Sequence, residues 1–257
     1  MVGYLAQKGW QRIEFDPALL GWATAANDLA SHAMQDPALA HWWVCEDTWF
    51  VGVDALENDA QGRLPDGTSL PSSLMQNLAN RFDRLPFHKA QLSVIRPGYP
   101  KPRDNESVAA FRYRLKRNAA HVDGLKAEGP DRQRMVKEPH AYILGIPLNH
   151  ASDQAAPLVI WEGSVGIMRT ALKTALAPYP AEDWSNVDVT AVYQAARREV
   201  FETCERVTVH AQPGEAYLMH RLAVHGMASW QGDDTGDRRI AYFRPDLPSV
   251  SDWLERP

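Results

Sequence analysis

The chain has 257 residues, 45% of them hydrophobic and 23% charged. That balance is ordinary for a globular protein, and the length is ample to bury a core. A formal net charge of −5 offers no basic field to a nucleic acid, and no apolar stretch is long enough to span a bilayer as a helix. Cys45 and Cys204 form neither a disulfide framework nor a CxxC zinc motif. Both are read as reduced. The opening MVGYLAQKGWQRIEF lacks the basic-then-apolar order of a signal peptide, so the expected location is cytoplasmic.

Residues 1–16 read as extended. Asp16-Pro17 is a helix start, aspartate capping and proline occupying the first position. A helix over about 17–34 follows, with Leu19, Leu20, Trp22, Ala23, Ala26, Leu29 and Ala30 on its apolar face. Residues 42–53 (WWVCEDTWFVGV) are aromatic and β-branched and read as strand. Residues 54–71 are loop, rich in Gly, Pro, Asn and Asp, and long enough to suggest a lid. Ser72 can cap a short helix carrying Leu74, Leu78, Phe82 and Leu85.

From residue 88 the character changes to short apolar runs separated by turns. The runs are 90–96, 108–115 (VAAFRYRL), 141–148, 158–161, 206–211, 215–225 and 238–243, with helices interposed at about 166–176 and 190–203. This pattern suggests a sandwich or barrel. The expected organisation is one domain over 1–257. It comprises a mixed α/β flank (1–87), a β-rich core with a helical insertion (88–245) and a surface tail (246–257).

Candidate chemistry begins at Asn118-Ala119-Ala120-His121-Val122-Asp123-Gly124. On an extended chain His121 and Asp123 point to one side, and Gly124 lets the chain turn away. Two histidines and one carboxylate with open positions suit non-haem Fe(II). A lone HxD among nine histidines can also be a chance pair on a surface loop. The third ligand would be a late histidine: His210, His220 or His225. His220 and His225, read on one strand, face opposite sides. A basic residue for a dicarboxylate co-substrate would come from Arg238 or Arg239, since a guanidinium matches a carboxylate bidentately. Arg244 shares the parity of Arg238.

The ordered set of His121-x-Asp123, Pro213-Gly214-Glu215, the 220–226 run HRLAVHG and the 238–242 run RRIAY resembles the phytanoyl-CoA dioxygenase family of Fe(II)/2-oxoglutarate oxygenases, over about residues 88–245. The resemblance implies a double-stranded β-helix, a cupin-like jelly roll. It implies His225 as the distal ligand, completing His121 and Asp123, and Arg238 as the 2-oxoglutarate anchor, with Arg239 as fallback. Val165 stands where the family usually has histidine, Met227 where it often has serine, and the 228–237 loop is slightly long. The implied reaction is oxidation, typically hydroxylation, of a small molecule by dioxygen, with 2-oxoglutarate decarboxylated to succinate. Halogenating relatives lack the carboxylate that Asp123 supplies. Two competing readings are a jelly-roll binding protein without turnover and a cupin-type oxygenase that uses no 2-oxo acid. The absence of HxH counts against the latter.

Other features have bland readings beside functional ones. Arg112, Arg114 and Lys116, on a strand, form either a solvated face or an anion site. Asn118 is a candidate co-substrate contact, while Glu162, His140 and His150 read as structural or surface residues. Trp42, Trp43, Trp49 and Trp230 read as core, with pocket lining as the alternative.

Overall fold

A computed structural model describes residues 2–232 and 236–256. Residues 233–235, in the long loop noted above, lie outside the description, as do Met1 and Pro257. The start is not wholly extended: helix α1 (Val2–Lys8) precedes strand β1 (Trp10–Ile13). Asp16 caps α2 (Pro17–Ala33) through its side chain, accepting from the Ala18 amide at 2.8 Å. Leu19, Trp22, Ala23, Ala26 and Ala30 form its buried face. The 42–53 run is two short strands, β2 (Trp43–Val44) and β3 (Trp49–Phe50). They flank a turn where Cys45, Glu46 and Asp47 all take positive φ.

Residues 54–71 hold no helix or strand, but they are sewn into the core. Leu56, Leu64 and Leu70 are buried, and the buried Trp22 indole donates to the Gly62 carbonyl at 2.8 Å. That anchoring is unlike a lid. Helix α3 (Ser72–Phe82) is capped at Pro71 without a side-chain bond, so Ser72 is its first residue and not its cap.

After β4 (Gln91–Ile95) the run expected as strand is helix α4 (Val108–Lys116). The Ser107 hydroxyl accepts from the Ala110 amide at 3.2 Å and starts it. None of its residues is buried, so no core face imposed a helical period on the sequence. A hairpin of β5 (Leu125–Glu128) and β6 (Gln133–Val136) follows. Then come β7 (Tyr142–Pro147), β8 (Leu158–Glu162), α5 (Ser164–Leu176), α6 (Thr190–Thr203) and β9 (Glu205–Val209). The 215–225 run is two strands, β10 (Ala216–His220) and β11 (His225–Met227), which belong to different sheets. Last are β12 (Arg238–Phe243) and α7 (Val250–Glu255). The expected surface tail is therefore a docked helix, with Trp253 and Leu254 fully buried. Buried Arg221 donates to the Trp253 carbonyl at 2.6 Å.

The strands pair antiparallel. Seven form one sheet in the order β1-β10-β7-β12-β4-β3-β2, and three form a second, β11-β8-β9. Helix α5 packs against α6, α1 and α7. A continuous apolar cluster runs from Leu5 through both sheets to Leu254. Among the described residues no helix is long and apolar enough to cross a membrane.

Candidate metal centre

Three of the expected site residues converge. The backbones of His121 and His225 form an isolated antiparallel bridge, with N–H···O contacts of 2.8 and 3.0 Å. Their side chains are therefore cross-strand neighbours, with ring centroids 4.6 Å apart. The bridge needs a close approach that glycine permits. A Cβ on Gly226 would stand 2.1 Å from the Asn118 carbonyl oxygen. That same oxygen accepts from the Met227 amide at 2.8 Å. Val122 is buried and its amide meets the Tyr193 hydroxyl, so Asp123 returns to the side of His121 as an extended chain requires. Gly124, at φ +89°, turns the chain away, and a Cβ there would clash with the Glu138 carbonyl.

The ring orientations suit ligation. Nδ1 of His121 lies 3.0 Å from the Ala119 carbonyl, and Nδ1 of His225 lies 2.9 Å from the Ala223 carbonyl. A carbonyl only accepts, so each Nδ1 donates and a neutral ring keeps its lone pair at Nε2. Both Nε2 atoms face Oδ1 of Asp123, at 3.1 Å from His121 and 3.6 Å from His225. Ligands bound at about 2.1 Å and at right angles stand about 3 Å apart, so the spacing fits a cation. Three lone pairs turned on one point, within 4.8 Å of one another, form the one such cluster among the described residues.

The other carboxylate oxygen, Oδ2 of Asp123, accepts from Nε of Arg244 at 2.7 Å, and Arg244 also meets the Gln91 side chain. Burial alone would raise the Asp123 pKa. The Arg244 guanidinium beside Oδ2 outweighs it and holds the carboxyl well below the usual range. Asp123 therefore stays ionised with Oδ1 free. The sequence hinted at Arg244 only through its shared parity with Arg238.

His220 is not part of the cluster. It ends β10 in the large sheet, 2% exposed. Its Nδ1 accepts from the Leu222 amide, and its Nε2 lies 2.9 Å from Arg169. Burial, then the charges of Arg221 and Arg169, push its pKa far down, so it is neutral. The separation of His220 from His225 comes from the two sheets and not from opposite faces of one strand. His210 sits beside Gln212.

A cavity of about 470 Å³ opens over the three residues, a size suited to a small organic molecule. Trp49, Tyr99, Leu158, Met227 and Tyr242 give it apolar walls, and Asp54, His88, Glu138, His140 and Asp246 a polar rim. His140, expected as a surface residue, bridges that rim, with Nδ1 2.9 Å from Asp246 and Nε2 3.5 Å from Glu138. Of the four tryptophans considered, Trp49 lines the cavity, Trp43 packs on Phe50 and Trp230 joins Tyr99 in a small second cluster.

Arg238 is buried, and its Nη1 lies 3.2 Å from Sδ of Met227, a cavity residue. Arg239 points the other way and is taken up by Asp237, Asn27 and Ser31. Arg114 is paired bidentately with Glu106. The Asn118 side chain accepts from Arg206, and Glu162 accepts from Trp10. His150 meets Gln212.

No protein-family profile matches the chain, and no curated protein matches it by sequence. Solved structures do match. SnoK, a non-haem α-ketoglutarate-dependent carbocyclase from nogalamycin biosynthesis, superposes with a TM-score of 0.54 at 14% identity, covering 98% of this chain and 87% of SnoK. AviO1 from Streptomyces viridochromogenes Tue57 gives 0.50 at 15% identity over 96% and 94% of the two chains. A nickel complex of ThoJ, a non-haem monooxygenase, gives 0.50 at 13% over 96% and 78%. At these identities the likeness is one of fold.

Proposed function

We propose that the chain is an Fe(II)- and 2-oxoglutarate-dependent oxygenase with a double-stranded β-helix core of the phytanoyl-CoA dioxygenase type, oxidising a small molecule. The observation that carries this reading is the convergence of His121, Asp123 and His225 on one point. Its support is the fold shared with SnoK and ThoJ. Both histidines present Nε2 and Asp123 presents Oδ1, a three-ligand face that leaves positions for a 2-oxo acid and dioxygen. Bound iron would supply the oxidation, with 2-oxoglutarate decarboxylated to succinate. The protein's part is to hold three ligands, keep Asp123 ionised through Arg244, and enclose substrate in the cavity. Arg238 is the anchor proposed for the far carboxylate of 2-oxoglutarate. Its inward side on β12 supports that role, whereas Arg239 is engaged by Asp237. A single domain over 1–257 and a cytoplasmic setting complete the reading, the latter suited to two unpaired cysteines.

Anaerobic Fe(II) and 2-oxoglutarate should give a visible charge-transfer band, and oxygen should then release succinate. His121→Ala, Asp123→Ala and His225→Ala should each lose most iron binding, and His220→Ala should keep it. An iron-loaded sample that never develops the band would sink the proposal. A band with no succinate across a broad substrate panel would favour a binding protein.

A further inference from the structure

Arg238 stands out in the interior. It is 7% exposed, and a guanidinium has five N–H donors to satisfy. Burying such a charge without a counter-charge is costly. Two arginines close to it in the chain illustrate the usual solution, Arg239 pairing with Asp237 and Arg244 with Asp123. Among the described residues no carboxylate pairs with Arg238. The side-chain contact it makes is with a thioether, Nη1 to Sδ of Met227 at 3.2 Å, and thioether sulfur is a weak acceptor.

Met227 faces two ways. It follows the ligand His225 by two residues and lines the metal cavity, while its sulfur lies against the guanidinium. Its backbone is held on both sides, pairing with Leu158 on β8 and donating to the Asn118 carbonyl. Movement is therefore left to the side chain, which has three rotatable bonds and repacks at small cost.

Resting on the 2-oxoglutarate reading, we propose that Met227 is a displaceable cover on Arg238, moved aside by 2-oxo acids with a second carboxylate and left in place by those without one. The distal carboxylate replaces the sulfur at the guanidinium. A charge-assisted bidentate pair is far stronger than an N–H···S contact, so a dicarboxylate moves the thioether aside. A 2-oxo acid without a second carboxylate, such as pyruvate, gains nothing at Arg238 and leaves Met227 where it is. The cover lowers the apparent affinity for the dicarboxylate by the cost of displacement.

The test uses the whole chain loaded with Zn(II), which is diamagnetic and redox-silent. Binding of 2-oxoglutarate and of pyruvate is measured by calorimetry on the wild type, Met227→Ala and Met227→Leu. Met227→Ala should bind 2-oxoglutarate roughly five- to tenfold more tightly with pyruvate unchanged, and Met227→Leu, which keeps the bulk, should stay within about twofold of wild type. Should the alanine variant fold poorly, wild-type protein carrying 13C-methyl methionine still gives an answer. Saturating 2-oxoglutarate should shift the Met227 methyl resonance, assigned by its loss in Met227→Leu, and pyruvate should not. Unchanged 2-oxoglutarate affinity in Met227→Ala, or a Met227 methyl signal indifferent to saturation, overturns the cover. If 2-oxoglutarate binds no zinc-loaded form at all, it is the co-substrate reading that fails.

Discussion

A carboxylate removed from water tends to take up a proton, and Asp123 is kept from doing so chiefly by Arg244. The same contact occupies Oδ2 and leaves Oδ1 facing the histidines. Partners of this kind typically contribute 10- to 100-fold to metal affinity. Arg244→Gln should therefore weaken Fe(II) binding by about that factor in a chelator competition, and unchanged affinity would show that Asp123 orients without it. Glu106 is shifted in the same direction. Its hydrogen bonds with Arg114 lower its pKa from 4.5 to about 2. The folded value is the depressed one, so the stabilisation is complete above about pH 4.5 and disappears as pH falls towards 2. Thermal melts of Glu106→Gln and wild type should differ most above pH 4.5 and converge towards pH 2. A gap that does not narrow would mean the pair contributes nothing through its charge.

Helix α7 shows how an element can be structurally central yet illegible. A short segment after Pro245 has too few turns to display a period, but Trp253 is fully buried and its carbonyl accepts from Arg221. Trp253→Ala should cost about 3–5 kcal/mol in denaturant unfolding, and a loss below about 1 kcal/mol would return the segment to the status of a surface tail. Elements with a buried face were readable. Helix α2 showed its stripe and its cap, α6 began and ended as expected, and β12 alternated Arg238 inward with Arg239 outward. Helix α4 was not, because none of its residues is buried and its aromatic, β-branched composition imitates a strand. The break between β10 and β11 was hidden for another reason. The chain leaves one sheet for the other at Arg221-Leu222-Ala223-Val224 without a glycine or proline to mark the turn. The nearness of His121 and Asp123 was legible because HxD needs only local extension, whereas His225 was one of three late histidines and was singled out by the resemblance and its strand-end position. Arg244, Gln91 and the His88–Asp246–His140 rim were not, since long-range pairing brings them together.

At the scale of the molecule, the cavity is shared property. Gln91, Ser93, Met219 and Tyr242 come from the seven-stranded sheet, and Leu158, His225 and Met227 from the three-stranded one. His121 belongs to neither sheet and reaches the site through its bridge to His225. In polymer terms that bridge is where two distant points on the chain meet, closing a loop of about a hundred residues whose entropic cost grows slowly with its length. A cation held by both imidazoles and Asp123 would act as a clasp on that loop, and a ligand bound only by the native state stabilises it by mass action. Saturating Zn(II) should raise the melting temperature by several degrees, and His225→Ala should remove the increment. Hydrogen exchange of the His121 and His225 amides, which form the bridge, should slow with it. An increment that survives in His225→Ala would place the bound cation elsewhere. A bound metal would thus tie the small sheet to the chain leaving α4, and metal supply in the cell would become one determinant of how long the folded protein lasts.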